Sequence, residues 1–310
     1  MSFDLVAIGN PVYDIIVTPS VKTEGRVLSG CSTNACLAAK RLGLKKVGLI
    51  GCIGPDFKNQ FHQDMKDYGI EVELTCLGDE TGGFRLVYDN HGDRTLDVLG
   101  VAGRIEPKNV PDEYLRASFF VIGPILGEVD LELVEFIRSS SSSKLLLDPQ
   151  GMVRVIGSDR RIVHECDRAA FGKVARLVDF VKPNEHESRT ITGLEDPEQA
   201  LQQLKWLGSA VPIVTLAERG SIIIEGDTMV RIPAFQTNAI DPTGAGDAYA
   251  GSFITEYARS GKIVESALFA SAAASMMVEQ VGPDFAMPPK EVEKRRDSIR
   301  ARIRSEKLGW

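Results

Sequence analysis

Apolar residues in this chain come in short runs that end at glycine or proline, and the runs alternate with segments whose apolar positions repeat at helical spacing. Leu5-Val6-Ala7-Ile8-Gly9 is the first run and has the form of a buried strand emptying into a loop. Val47–Phe57 holds a second buried strand and its turn, and Phe57–Tyr68 reads as a helix. The alternation continues with strands at Phe119–Gly123, Leu145–Asp148, Phe180–Lys182 and Ile213–Leu216, and with helices at Val129–Arg138 and Pro197–Leu207. Strand and helix in this order predict an α/β fold around a mainly parallel sheet, because a parallel connection needs a crossover helix.

Four further strands, Tyr13–Thr18, Gly25–Leu28, Phe84–Asp89 and Arg94–Gly100, stand outside the alternation. The last two close over Asn90-His91-Gly92-Asp93, a hairpin-turn composition. The serine run Ser139–Ser143 is too short to join domains and reads as a surface loop. Lys262–Gln280 is a helix dense in Ala and Ser, and Lys290–Lys307 mixes both charge signs as a solvated helix does. No internal repeat is visible.

A chain of 310 residues with 43% hydrophobic content has ample material for a buried core. Its net charge of -7, with no basic run to offset it, argues against nucleic acid as a partner. Cys31, Cys36, Cys52, Cys76 and Cys166 are odd in number and irregularly spaced, as expected of reduced thiols in a cytoplasm. No apolar run approaches the ~20 residues that span a bilayer, and the N-terminus has no signal-peptide pattern. The expectation is a soluble, cytoplasmic protein without a membrane partner. His164-Glu165-Cys166 and His186-Glu187 complete no zinc-site pattern.

The chemistry converges on Asp241-Pro242-Thr243-Gly244-Ala245-Gly246-Asp247. A Gly- and Pro-rich turn opens here into small and apolar residues at helical spacing, which puts the N–H groups of Gly244, Ala245 and Gly246 near a free helix N-terminus, an anion site. Asp247 falls in the first turn. A carboxylate beside an anion site is repelled by the anion, but it has a use if it removes a proton from a hydroxyl that attacks a phosphoryl group. The helix dipole is expected to keep it ionised at neutral pH.

This string resembles the C-terminal signature of the ribokinase-like, or PfkB, carbohydrate kinases, and the resemblance runs from Leu5 to about Pro288. It implies a three-layer α/β/α sandwich with a mainly parallel central sheet and a small β lid, formed over residues 1–310 as one kinase domain with lid strands from about 13–28 and 84–100. It also implies an ATP-dependent, Mg²⁺-requiring kinase acting on a hydroxyl of a small sugar, polyol or nucleoside. Asp247 is then the catalytic base, with Gly244, Ala245 and Gly246 as the anion hole. Asp14, beyond the first strand, Gly30 and Asn34 hold the acceptor. Ser29 replaces the first glycine of the family's N-terminal Gly-Gly pair. Arg154, in Asp148-Pro149-Gln150-Gly151-Met152-Val153-Arg154, is a further acceptor candidate, since it lies just past a strand's C-terminal end where open α/β sheets bind ligands.

By the same resemblance, Asn184 and Glu187 form an Asn-x-x-Glu motif whose Glu organises Mg²⁺ through water, and Thr215 and Gly220 belong to the nucleotide loop, with Ala217 at a position the family usually gives to glycine. Ala272 and Ser275 leave room for a purine, although helix packing explains the same composition. Asp241 and Thr243 mark a monovalent-cation (K⁺) site, and the exposed lid edge is a surface for homodimer pairing. Two narrower readings remain open: a nucleoside- or inositol-specific kinase, and a catalytically silent nucleotide-binding regulator. A nicotinamide dehydrogenase is disfavoured because no G-x-G-x-x-G follows the first strand, and a P-loop enzyme because no Gly-Lys-Ser/Thr string exists.

Overall fold

The computed structural model describes residues 2–89 and 94–309, with the backbone alone at 74–77. The expected turn at Asn90-His91-Gly92-Asp93 therefore lies outside the described residues. The first half runs β1 (Leu5–Ile8), β2 (Val12–Val17), β3 (Val27–Ser29), α1 (Cys31–Arg41), β4 (Val47–Ile53), α2 (Lys58–Tyr68), β5 (Glu71–Leu77), β6 (Gly83–Tyr88), β7 (Arg94–Gly100), β8 (Phe119–Ile122), α3 (Leu131–Ser140) and β9 (Lys144–Leu147). A hairpin of β10 (Arg154–Ile156) and β11 (Ile162–His164) comes next, then α4 (Arg168–Ala175), β12 (Phe180–Val181), α5 (Glu185–Thr192), α6 (Pro197–Leu207) and β13 (Val211–Thr215). The chain ends with β14 (Ser221–Glu225), β15 (Thr228–Ile232), α7 (Ala245–Ser260), α8 (Ile263–Met277), α9 (Pro289–Arg300) and β16 (Arg304–Lys307).

Ten strands form the main sheet in the order β16-β15-β14-β13-β12-β9-β8-β1-β4-β5. Pairing is parallel from β13 through to β5 and antiparallel among β13, β14, β15 and β16. Its central strands are apolar on both faces, as burial under two helical layers requires. Leu5, Ala7, Val121, Leu146 and Ile223 point into one core, which also holds the inward residues of α1, α2, α7, α8 and α9. Val6, Ile8, Phe120, Leu147 and Ile224 point into the other, with α3, α4, α5 and α6. This is the three-layer α/β/α sandwich. α1 and α7 pack so closely that a Cβ on Gly251 would lie 2.1 Å from the Ala35 carbonyl oxygen.

The four strands outside the alternation assemble into a second sheet, β3-β2-β6-β7, with its own apolar face of Val12, Ile16, Phe84, Leu86, Leu96 and Val98. Several boundaries differ from expectation. α3 starts where Asp130 caps it, its side chain accepting the Leu133 N–H at 3.0 Å, and runs through Ser140, so the loop begins at Ser141. The C-terminal helix stops at Arg300, and residues 304–307 add an exposed edge strand that no alternation marks. Cys31, Cys36 and Cys166 are free, but Cys52 is disulfide-bonded, so uniformly reduced cysteines do not hold; the pairing of β4 with β5 sets Cys52 opposite Cys76, an adjacency that sequence spacing conceals. Among the described residues no helix is long and apolar enough to cross a membrane.

Candidate active site

The mouth of α7 is built by Gly244, whose φ of 77° is left-handed; a Cβ there would meet Met277 at 2.7 Å and the Asn34 amide at 2.9 Å. The Ala245 N–H turns back to the Pro242 carbonyl at 3.3 Å, and the first full helical bond runs from Ala248 N–H to Gly244 at 2.8 Å. Among the described residues no protein acceptor takes the N–H groups of Gly244, Gly246 or Asp247. Three main-chain donors therefore face the cleft at the positive end of a helix, the arrangement that binds an anion.

Asp247 is held from two sides: Asn34 Nδ2 donates to Oδ2 at 2.9 Å, and Gln150 Nε2 donates to Oδ1 at 3.3 Å. Burial and the nearby Asp148 charge push its carboxyl above the usual range, while Asn34 and Lys182 pull it down. The expectation that the helix dipole alone keeps it ionised is thus too simple, because desolvation acts in the opposite direction. The Cys31 thiol and the Asp148 and Asp247 carboxylates have atoms within 4.8 Å of one another, and burial, with those two carboxylates, raises the thiol well above its ordinary value.

Lys182, just past β12, is 2% exposed, and its Nζ lies 2.8 Å from Asp148 Oδ2, itself 3% exposed. Burial opposes its charge, but Asp148 and Glu187 override that and raise its pKa. A Cβ on Gly246 would lie 3.4 Å from this ammonium, so Lys182 adds a full positive charge beside the free amides. The sequence gives little sign of this role, since lysine ordinarily marks the surface. Its position directly beyond a buried strand, at the end of the sheet where ligands bind, is the one available signal.

Asn184 and Glu187 form a reciprocal cap on α5. Glu187 N–H donates to Asn184 Oδ1 at 2.8 Å, and Asn184 N–H donates to Glu187 Oε2 at 2.9 Å. Burial and Asp148 raise the Glu187 carboxyl. Asp148 and Glu187 already have protein donors, so they fit a magnesium ion that keeps its own waters and meets them through those waters; the Cys31 thiol is a poor ligand for it. A backbone bridge between Asn184 and Thr215 joins this cap to the turn after β13, in which Ala217 takes φ 49° and Gly220 φ 96°.

At the other end of the cleft, Asp14 on β2 is 3% exposed and its Oδ1 accepts the Phe84 N–H at 2.7 Å. Burial pushes its pKa up to about 6, against the Phe84 N–H, the Ser29 hydroxyl and the charges of Arg154 and Arg26. Tyr88 Oη lies 3.0 Å from Thr243 Oγ1 and accepts from Arg94 Nη1 at 3.0 Å, which ties the small sheet to the turn before α7. Asp241 Oδ1 accepts the Thr243 N–H at 2.9 Å, and burial raises its carboxyl.

Most of these groups line one cleft of about 1250 Å³; Asp241, buried behind the turn, and Asn34 do not reach it. Asp14, Gly30, Arg154, Asn184, Glu187, Thr215, Gly220, Thr243 and the Gly244–Asp247 turn reach it, as do Ser271, Ala274 and Ser275. Ala272 does not, being fully buried in the core, and the Asn34 amide is spent on Asp247 rather than turned to an acceptor. Lys182, Gln150, Tyr88 and Arg94 are lining residues that the sequence reading missed.

Comparison with known proteins agrees with this geometry. The family model described as pfkB family carbohydrate kinase matches residues 3–290. A cytidine kinase of Thermococcus kodakarensis is 30% identical over 83% of this chain and 89% of its own. A pyrophosphate-dependent kinase in the ribokinase family superposes with a TM-score of 0.80 at 20% identity, over 93% of this chain and 99% of its own. An E. coli putative ribokinase II, solved with ATP and Mg²⁺, gives 0.75 at 19% identity, over 96% and 100%. A helix-mouth anion site with a carboxylate beside it, on this sandwich and under a match spanning nearly the whole chain, identifies the protein as a member of the pfkB carbohydrate kinase family, a phosphotransferase with an alcohol group as acceptor.

Proposed function

We propose that the protein transfers the γ-phosphoryl group of ATP to a hydroxyl of a sugar, polyol or nucleoside. Asp247 takes the hydroxyl proton, the acceptor oxygen bonds to phosphorus, the bond from phosphorus to the bridging oxygen breaks, and ADP leaves. The free amides of Gly244, Gly246 and Asp247, with the Lys182 ammonium, stabilise the charge on the phosphoryl group in transit. Asn34 and Gln150 aim the carboxylate. Asp14 and Gly30 orient the acceptor, and Thr215, Gly220 and Ser275 border the nucleotide. Asp148 and Glu187 would hold Mg²⁺ through its water shell, and the ion supplies charge neutralisation between donor phosphates. Residues 1–310 act as one catalytic unit in this reading, with the small sheet as a lid that excludes water and offers its outer edge to a second copy.

The observation that carries the proposal is the side chain of Asp247 held at the mouth of α7 beside three unengaged amides. Asp247→Asn tests it. Turnover should fall by about 10²–10⁴-fold with ATP binding preserved, since general-base contributions are of that size. Turnover within about threefold of wild type, where a general base is expected to contribute far more, removes Asp247 from the role. Likeness to a cytidine kinase at 30% identity favours nucleosides within the acceptor panel, and ATP, ADP and pyrophosphate should be compared as donors.

A further inference from the structure

Arg154 has no obvious protein role. It is 8% exposed and lines the cleft, its Nε has no hydrogen-bond partner, and Nη1 reaches the Ile125 carbonyl only at 3.4 Å. Among the described residues it is ion-paired to no carboxylate, and four of the cleft carboxylates have donors of their own: Asp14 has Phe84 N–H, Glu187 has Asn184 N–H, Asp148 has Lys182, and Asp247 has Asn34. Glu187, Asp247 and Asp148 favour its charge from a distance, but among the described residues none of them hydrogen-bonds it, and a desolvated guanidinium with an unmet donor is expensive to keep. A second guanidinium, more exposed, borders the same space. Arg94, on β7, is held by Tyr88 and open to the cleft; burial and the charge of Arg94 lower the Arg154 pKa against the opposing charges of Glu187, Asp247 and Asp148, so two guanidinium groups border one volume.

Resting on the kinase reading, we propose that the acceptor carries a negative group of its own, a phosphate or a carboxylate, and that Arg154 and Arg94 bind it. The planar guanidinium fork matches both groups bidentately, whereas a neutral polyol offers it only weak acceptors. The location favours the acceptor over the donor. Phe84, whose N–H holds Asp14, also lies under Arg154, with its ring centroid 5.6 Å from the guanidinium carbon, and the Arg154 charge lowers the Asp14 pKa, so Arg154 neighbours Asp14 while also facing Glu187, Asp247 and Asp148. His164, opposite Arg154 in the hairpin, is pushed down to about 4 by burial, His186, Arg154 and Arg94, and supplies no counter-charge.

The test uses the full chain and matched acceptors: ribose with ribose 5-phosphate, cytidine with cytidine 5′-monophosphate, and glucose with gluconate. In at least one pair the charged member should exceed its neutral partner in kcat/KM by roughly 10- to 100-fold, the size of one charge-assisted contact. Which pair responds separates phosphate from carboxylate. Arg154→Met and Arg94→Met should each collapse that ratio by raising KM for the charged acceptor and not KM for ATP, with Arg154→Lys intermediate. Thermal melting confirms that each variant is folded. Calorimetric titration of the same acceptors without nucleotide reads the charge preference independently of catalysis. A charged acceptor that binds but is not phosphorylated by any donor upholds this inference and refutes the kinase reading. Phosphorylation confined to neutral acceptors, or an Arg154→Met defect seen in KM for ATP alone, overturns this inference and leaves the kinase reading intact. If no charged acceptor binds or reacts, the inference is likewise overturned.

Discussion

Replacing Lys182 by methionine separates a structural charge from a catalytic one. At 2.8 Å the Lys182–Asp148 attraction is about 6 kcal/mol for an effective dielectric constant of about 20. Desolvation of both ions offsets most of that, but the single variant leaves Asp148 charged and alone in the interior, which should cost about 3–5 kcal/mol. Denaturant unfolding should show that loss, and Tm should fall by roughly 5–8 °C. Asp148→Asn added to Lys182→Met should recover about 2–3 kcal/mol, the coupling expected of a contacting pair. Activity should behave differently. The ammonium beside Gly246 is absent from both variants, so kcat should stay about 10²–10³-fold low in the double variant, the range for losing one preorganised electrostatic group. Because Lys182 also lowers the Asp247 pKa, the acid limb of the kcat profile should move to higher pH in Lys182→Met. A stability loss under about 1 kcal/mol refutes the buried-pair argument. Recovery of kcat in the double variant to within about threefold refutes the electrostatic one.

Three other outcomes follow from single residues. Asp14 has a folded pKa of about 6 against 3.8 for the free side chain, so the stability associated with its neutral form is fully present below 3.8 and is lost as pH rises through 6. Wild type minus Asp14→Asn should therefore show a relative loss approaching about 3 kcal/mol across that window in the unliganded protein, measured by urea unfolding at each pH, and a flat difference would exclude the shift. Ala217 sits in the left-handed region at φ 49°, which costs a non-glycine residue roughly 1–2 kcal/mol; Ala217→Gly, after its larger unfolded-state entropy, should gain about 0.5–1 kcal/mol, and any loss of stability would show that the methyl group packs favourably. Gly251→Ala should lose about 1–3 kcal/mol because its Cβ would overlap the Ala35 carbonyl, and a neutral result would mean that α1 and α7 can separate.

How much of this was legible depended on the range of the interaction involved. The central strands were visible because burial on both faces leaves uninterrupted apolar runs such as Leu5–Ile8, and the mouth of α7 because glycine, proline and a helix start are all local signals. β16 was invisible because all four of its side chains are exposed and carry no alternation. The strand expected at Phe180–Lys182 is the two-residue β12, Phe180–Val181, and Lys182, the consequential residue just past it, reads as strand and is not singled out. A lysine becomes a buried ion only when β9 delivers Asp148 next to it, and nothing in either segment alone says so.

The same contrast decides what sets the proton affinity of Asp247. A reading confined to the helix has one term, the dipole, and it favours the charged form. In the folded chain the largest influence is burial, which favours the neutral form, followed by Asp148 from the end of β9. The opposing terms come from Asn34 on α1, 213 positions away in sequence, and from Lys182 beyond β12. Three other segments therefore meet on one carboxylate: the end of β9 adds to burial in raising its pKa, and α1, through Asn34 and Cys31, and Lys182 beyond β12 lower it, with the dipole as a further contribution. A carboxylate tuned by opposing terms responds to any one of them, so if Asp247 is the base as proposed, Asn34→Ala should raise the pH at which kcat reaches half its plateau, because the hydrogen bond it removes favours the ionised form. An unchanged kcat profile in that variant would mean that the dipole governs after all, and that the convergence of segments is only packing.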